Sequence, residues 1–157
     1  MSQGLKVFVL GVLPIVLVAQ SKKEIRKNGV TSLIGVITDG YGTHKDIFQR
    51  FDKNGNTIEE IEYDKTGKVK ERKTAKFNSE NDKTEEVIYD LSGKQKERDV
   101  FKYDSDGIKT EELHYNDKNE LVSKSVYSFN AKGLRKDKKT YDAKGKLIQT
   151  KQYQYEY

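Results

Sequence analysis

From Phe51 onward an aromatic residue returns at intervals of 12 and 14 in strict alternation. Each return opens the same five-residue pattern: aromatic, Asp or Asn, two variable residues, then Gly or Asn. Eight copies run from Phe51-Asp52-Lys53-Asn54-Gly55 to Tyr141-Asp142-Ala143-Lys144-Gly145, and Tyr155 stands where a ninth would begin. The chemistry is that of a tight turn. Asp or Asn accepts a hydrogen bond from the backbone two residues on, and Gly or Asn tolerates the positive φ of a bulged hairpin turn. The segments between turns are strand-length and rich in Lys, Glu and Thr, and a Gly or Asn every dozen residues leaves no room for a helix of more than two turns. Upstream, residues 30–37 and 45–51 flank Asp39-Gly40-Tyr41-Gly42 and read as one more hairpin with a longer loop. The pattern predicts an all-β chain: an antiparallel meander of about ten strands.

In such a turn the aromatic faces the residue six positions later, which pairs Phe51 with Thr57, Tyr63 with Val69, Tyr115 with Leu121 and Tyr141 with Leu147. Because 12, 14 and 6 are even, period-2 alternation predicts that all the motif aromatics share one face. Phe51, Phe77, Tyr103, Phe129 and Tyr155 then line one rim, and Tyr63, Tyr89, Tyr115 and Tyr141 the other. A second tier two residues earlier includes Phe101, Tyr127, Tyr153, Ile61, Val87 and Leu113. The middle of that face is polar, with Glu59, Glu85, Glu97, Glu111 and Asp137 among others. A dry closed interior would bury those carboxylates at high cost, so the expectation is an open, twisted, single-layer sheet, with a closed or partly closed barrel as the alternative.

Before the repeats, Lys6 precedes an apolar run over 7–18 that ends at Ala19. A basic residue, a short apolar stretch and a small residue describe a secretory signal peptide, and the run is shorter than the roughly 20 residues of a membrane-spanning helix. The expected organisation is therefore a leader over 1–19, a linker or N-terminal arm over 20–29 and the hairpin domain over 30–157. The mature chain is expected to be periplasmic, at the cell surface or extracellular, with no transmembrane segment once the leader is removed.

Composition narrows the chemistry. The chain has no Cys and no Trp, which excludes disulfides, thiolate zinc sites and thiol catalysis. The charged fraction is 35% against 34% apolar, so a large dry core is not expected. The formal net charge is +5, yet Lys and Glu interleave along the strands and no basic block stands out, so nucleic acid is not an expected partner. His44 and His114 are read as solvated side chains. Asp52-Lys53-Asn54-Gly55 and Asp104-Ser105-Asp106-Gly107 resemble the start of a calcium loop, but the period already explains both as turns. No metal or cofactor is expected.

Residues Phe51 to Gly145 resemble the YD repeat of the RHS family, whose unit carries a Tyr-Asp-x-x-Gly turn; Tyr63-Asp64-Lys65-Thr66-Gly67 and Tyr141-Asp142-Ala143-Lys144-Gly145 match it directly. The resemblance implies runs of β-hairpins in secreted or surface proteins that serve as shells, scaffolds and carbohydrate-binding surfaces. This array is short and highly charged, and a shell enclosing cargo does not follow from it. The expected function is that of an exported, non-enzymatic structural or protein-interaction module at the cell envelope, with an envelope protein or a glycan as partner. The alternative is a carbohydrate-binding module using Tyr103, Tyr115, Tyr127, Tyr141, Tyr153 and Tyr155, rings that otherwise serve as the sheet's own small core.

Overall fold

The computed structural model describes residues 21–156; the expected leader lies outside them. A short helix, α1 (Lys22–Lys27), precedes ten strands: β1 (Ser32–Asp39), β2 (Gly42–Phe51), β3 (Thr57–Tyr63), β4 (Val69–Phe77), β5 (Lys83–Tyr89), β6 (Gln95–Tyr103), β7 (Lys109–Tyr115), β8 (Leu121–Phe129), β9 (Arg135–Asp142) and β10 (Leu147–Gln152). They form one antiparallel sheet in sequence order, with β1 and β10 at its two edges. The sheet is open and the barrel alternative is not realised.

The eight turns are built alike. The Asp or Asn N–H donates to the carbonyl four residues on, at 2.8–3.1 Å, and its own carbonyl accepts from the Gly or Asn N–H at 2.8–3.2 Å. That Gly or Asn has φ between 61° and 82° in every copy. The Asp or Asn Oδ1 also accepts the N–H four residues on in all eight copies, as Asp64 does from Lys68 at 3.1 Å and Asn130 from Leu134 at 3.1 Å. One side chain thus braces both ends of the turn, which is why the position is never filled by another residue type. The first hairpin is tighter than expected. Asp39 pairs with Gly42 across it, and Asp39 Oδ1 accepts the Tyr41 N–H at 2.8 Å.

The expected pairs Phe51 with Thr57, Tyr63 with Val69, Tyr115 with Leu121 and Tyr141 with Leu147 are all present. The expectation that all motif aromatics share one face is not met. One step inward from each such pair, the second strand carries an extra residue: Tyr63 pairs with Val69, but Glu62 pairs with Glu71, leaving Lys70 over. Each bulge shifts the parity of its strand by one, and a one-residue shift moves every later side chain to the other face. Tyr63, Tyr89, Tyr115 and Tyr141 therefore lie on one face (face A), and Phe51, Phe77, Tyr103, Phe129 and Tyr155 on the other (face B). The supporting tier divides likewise. Ile61, Val87 and Leu113 belong to face A, and Phe101, Tyr127 and Tyr153 to face B.

Both faces are wet. Among the described residues the buried apolar side chains are Ile25, Phe51, Val87 and Tyr127, too few for a layered core. Cohesion comes from cross-strand pairs worth about 0.2–1 kcal/mol each. On face A, three glutamates spaced by 26 residues are each held by two cations from the flanking strands. Glu59 takes Arg50 (3.0 Å) and Arg72 (2.7 Å), Glu85 takes Lys76 (2.7 Å) and Arg98 (3.3 Å), and Glu111 takes Lys102 (2.9 Å) and Lys124 (2.7 Å).

The segment read as a linker or arm contains α1. Ser21 caps it, with Glu24 bonding back in a capping box, and Asn28 ends it. Ile25 is 2% exposed, and the helix sits on the turn between β2 and β3, where a Cβ added to Gly55 would lie 2.5 Å from the Lys22 carbonyl oxygen.

Candidate functional site

The six tyrosines singled out from the sequence divide between the two faces. Tyr115 and Tyr141 stand on face A; Tyr103, Tyr127, Tyr153 and Tyr155 stand on face B. They do not compose one surface.

On face A the tyrosine row is roofed by cations. Arg72 lies over Tyr89 at 4.9 Å from the ring centre and Arg98 over Tyr115 at 4.1 Å, each arginine also bound to its ladder glutamate. Such a stack restrains the guanidinium and covers the ring. The next cation in the row, Lys124, is turned to Glu111, and among the described residues none lies over Tyr141. In its place is a shallow cavity of about 370 Å³ lined by Leu121, Lys124, Val126, Tyr141, Ala143 and Gly145.

On face B, Tyr127 is the central core residue, 7% exposed. Lys109, Arg135 and Lys138 surround its ring at 5.2, 4.7 and 5.5 Å, and its hydroxyl donates to Glu112 Oε2 at 2.6 Å. Burial, then that hydrogen bond, pushes the phenol far above its usual range. Its face is not available to stack on a ligand. Tyr103 and Tyr155 are anchored alike, donating to the carbonyls of Lys83 and Arg135 at 2.8 Å each. Tyr155 remains 42% exposed, and Lys151 lies over Tyr153 at 5.2 Å.

The histidines stand apart from these rings. His114 Nδ1 lies 2.8 Å from Asp99 Oδ1, and His44 Nδ1 lies 4.0 Å from Asp39. The Asp52 carboxylate, a candidate calcium-loop start, is engaged by its own turn: Oδ1 accepts from the Asn54 and Asn56 N–H groups and Oδ2 from Asn56 Nδ2. Burial raises its pKa, but these hydrogen bonds outweigh it and hold the group below the usual range.

One feature escaped the sequence reading. Residues 132–157 carry eight Lys and Arg against three acidic residues, an excess of +5 equal to the net charge of the whole chain. A basic block does stand out, and it is the last hairpin. Charge counted repeat by repeat, rather than over the chain, would have found it.

No protein-family model matches the sequence, and no curated protein does. Among solved structures, TarM is similar at 19% identity with a TM-score of 0.32, over 80% of this chain and 22% of that one. An S. aureus TarM variant in complex with fondaparinux, alpha-GlcNAc-glycerol and UDP gives the same values. A GtfA/B complex bound to UDP and GlcNAc is similar at 12% identity with a TM-score of 0.25, over 76% and 20%. The chain thus spans about a fifth of the length of each.

Proposed function

We propose that this protein is an exported, non-enzymatic interaction module at the cell envelope that works by presenting a flat, charged β-surface. The observation that supports this reading is the single-layer sheet itself. Ten strands are held by turn geometry and cross-strand ion pairs, so both faces remain open to a partner. The turn carboxylates and ladder glutamates are engaged in structural bonds, which accounts for most of the acidic chemistry without a reaction. Fractionation of cells expressing the full chain tests the reading. The expected result is a mature protein beginning at Gln20 outside the cytoplasm, crosslinked reproducibly to one envelope component. An unprocessed protein confined to the cytoplasm overturns it.

A carbohydrate-binding role is the second reading, favoured by the unroofed Tyr141 with its cavity and by the half-open rings of Tyr153 and Tyr155. Aromatic rings beside polar groups are the usual makings of such a surface. Its test is binding of a polysaccharide that is lost in a folded ring variant.

A further inference from the structure

We infer that face B of the last hairpin, built from Arg135, Lys138 and Lys151 with Tyr153 and Tyr155, binds an acidic linear polysaccharide. The inference rests on the carbohydrate reading above and specifies its ligand class and its place on the sheet.

The 26-residue unit changes its charge pattern in its last copy. On face B, Lys83 pairs with Glu86 and Lys109 with Glu112, each three residues on. The third copy places Arg135 at the cation position and Lys138 at the acid position. The acid of the unit has become a base. Lys138 also stands directly opposite Lys151 in the β9–β10 ladder, and like charges directly opposite destabilise a sheet. Among the described residues, Glu112 is the one carboxylate that reaches this cluster, 3.5 Å from Lys138 and already shared with Lys109 and the Tyr127 hydroxyl. Arg135 and Lys151 lie on rings, and neither pairs with a carboxylate of the described residues. Face A loses its balance in the same unit. Asp137 occupies the ladder-glutamate position, but Ser128 and Thr150 stand where the two cations should be.

Three cations with one shared carboxylate among them, next to ring faces on an edge hairpin whose β10 residues are all exposed, are complementary to a polymer bearing repeated carboxylates or sulfates on sugar rings. The anions would relieve the Lys138–Lys151 repulsion, and the tyrosine rings offer apolar faces to the sugars. An anionic membrane fits less well. The exposed Leu147 and Ile148 lie at the other end of the strand from Tyr153 and Tyr155, so apolar and basic groups do not form the single face that interfacial insertion needs.

Affinity electrophoresis of the mature chain in gels containing polygalacturonate, dextran sulfate or neutral dextran tests the inference. Retardation by at least one acidic polymer and not by dextran is expected, weakening steeply with salt. Lys138→Glu restores the acid of the preceding units beside Arg135, so its unfolding midpoint should be retained or raised while the apparent affinity falls at least tenfold. Lys118→Glu, the same charge change in a distant turn, should bind as the native chain does. Retardation by neither acidic polymer overturns the inference. So does equal loss in the two variants, which would make net charge the cause, and so does equal or tighter binding to duplex DNA or phosphatidylglycerol vesicles. Binding to dextran that survives Lys138→Glu would overturn the acidic ligand and leave the carbohydrate reading standing. Loss of envelope association with polymer binding intact would instead count against the module reading.

Discussion

Near its N-terminal end the sheet carries a helix on the β2–β3 turn, whereas at its C-terminal end β10 runs with all six residues exposed. The same turn occurs at both ends, with the same backbone bonds and the same positive φ. What differs is what the turn touches. Gly55 lies under α1, but a Cβ added to Gly133 or Gly145 would meet nothing within 4 Å. Ile25 and Phe51 are buried where α1 meets the β2–β3 turn, whereas Leu147 and Ile148 at the last hairpin are exposed, as are Ile34 and Val36 on β1. The hairpin geometry is thus independent of burial, since local hydrogen bonds and bulges suffice to define it. Stability should be graded from the capped end to the bare one.

The largest expected effect breaks the capped end. Ile25→Ala removes the most buried apolar side chain of α1 and should cost about 2–4 kcal/mol in urea unfolding. Ile148→Ala, at 58% exposure, should change stability by no more than about 0.5 kcal/mol. Equal costs would show that the ends do not differ. The next comparison concerns one turn residue in two settings. Both Gly55 and Gly67 have positive φ, so alanine is strained at either. Only at Gly55 does the new methyl also meet the α1 backbone. Gly55→Ala should cost at least about 1 kcal/mol more than Gly67→Ala, and amide exchange should report the difference in α1.

A third comparison contrasts a clamped carboxylate with its unclamped counterpart. Glu85 is held by Lys76 and Arg98, whereas no described cation pairs with Asp137. Glu85→Gln should cost about 1 kcal/mol at neutral pH and low salt, a value reduced because the group is partly solvated. Asp137→Asn should be close to neutral. Raising the salt concentration should shrink the first effect and leave the second unchanged.

These contrasts follow the line between what the residues made legible and what they did not. The turns were legible because their chemistry is local: Asp or Asn, two spacers and Gly name the fold of five residues without reference to anything distant. Strand order and the first cross-strand pair followed from the 12 and 14 spacing. The faces were misread because the extra residue next to each turn, such as Lys70, has no signature of its own; any side chain fits there, and only the ladder reveals the shift. α1 was missed because a single buried apolar residue, Ile25, sits among polar ones, although Ser21 and Glu24 already spelled a capping box. Tyr127 looked like its neighbours in sequence, and its burial depends on Lys109, Arg135 and Lys138 converging from two other strands.

The smallest expected effect sharpens the ladder comparison by its pH dependence. Hydrogen bonds from Lys76 and Arg98 hold the Glu85 carboxyl below the usual glutamate range against partial burial. Lys124 and Lys102 do the same for Glu111. At Glu59 burial raises the pKa, but the hydrogen bonds from Arg72 and Arg50 prevail and the net shift is downward. A carboxyl whose folded pKa is depressed binds fewer protons in the native state than in the unfolded one. Its stabilisation is complete above the unfolded value, about 4.3–4.5, and is lost as pH falls through the lower folded value. The native chain should therefore lose stability progressively below about pH 5. Glu85→Gln removes one of these three groups, so its deficit should be constant from pH 7 to about 5 and should close below that, where the native glutamate itself becomes protonated. A Glu85→Gln deficit that persists unchanged to pH 3 would mean that Glu85 acts by shape and packing, not by its charge, and the contrast between the clamped units and the last one would lose its electrostatic basis.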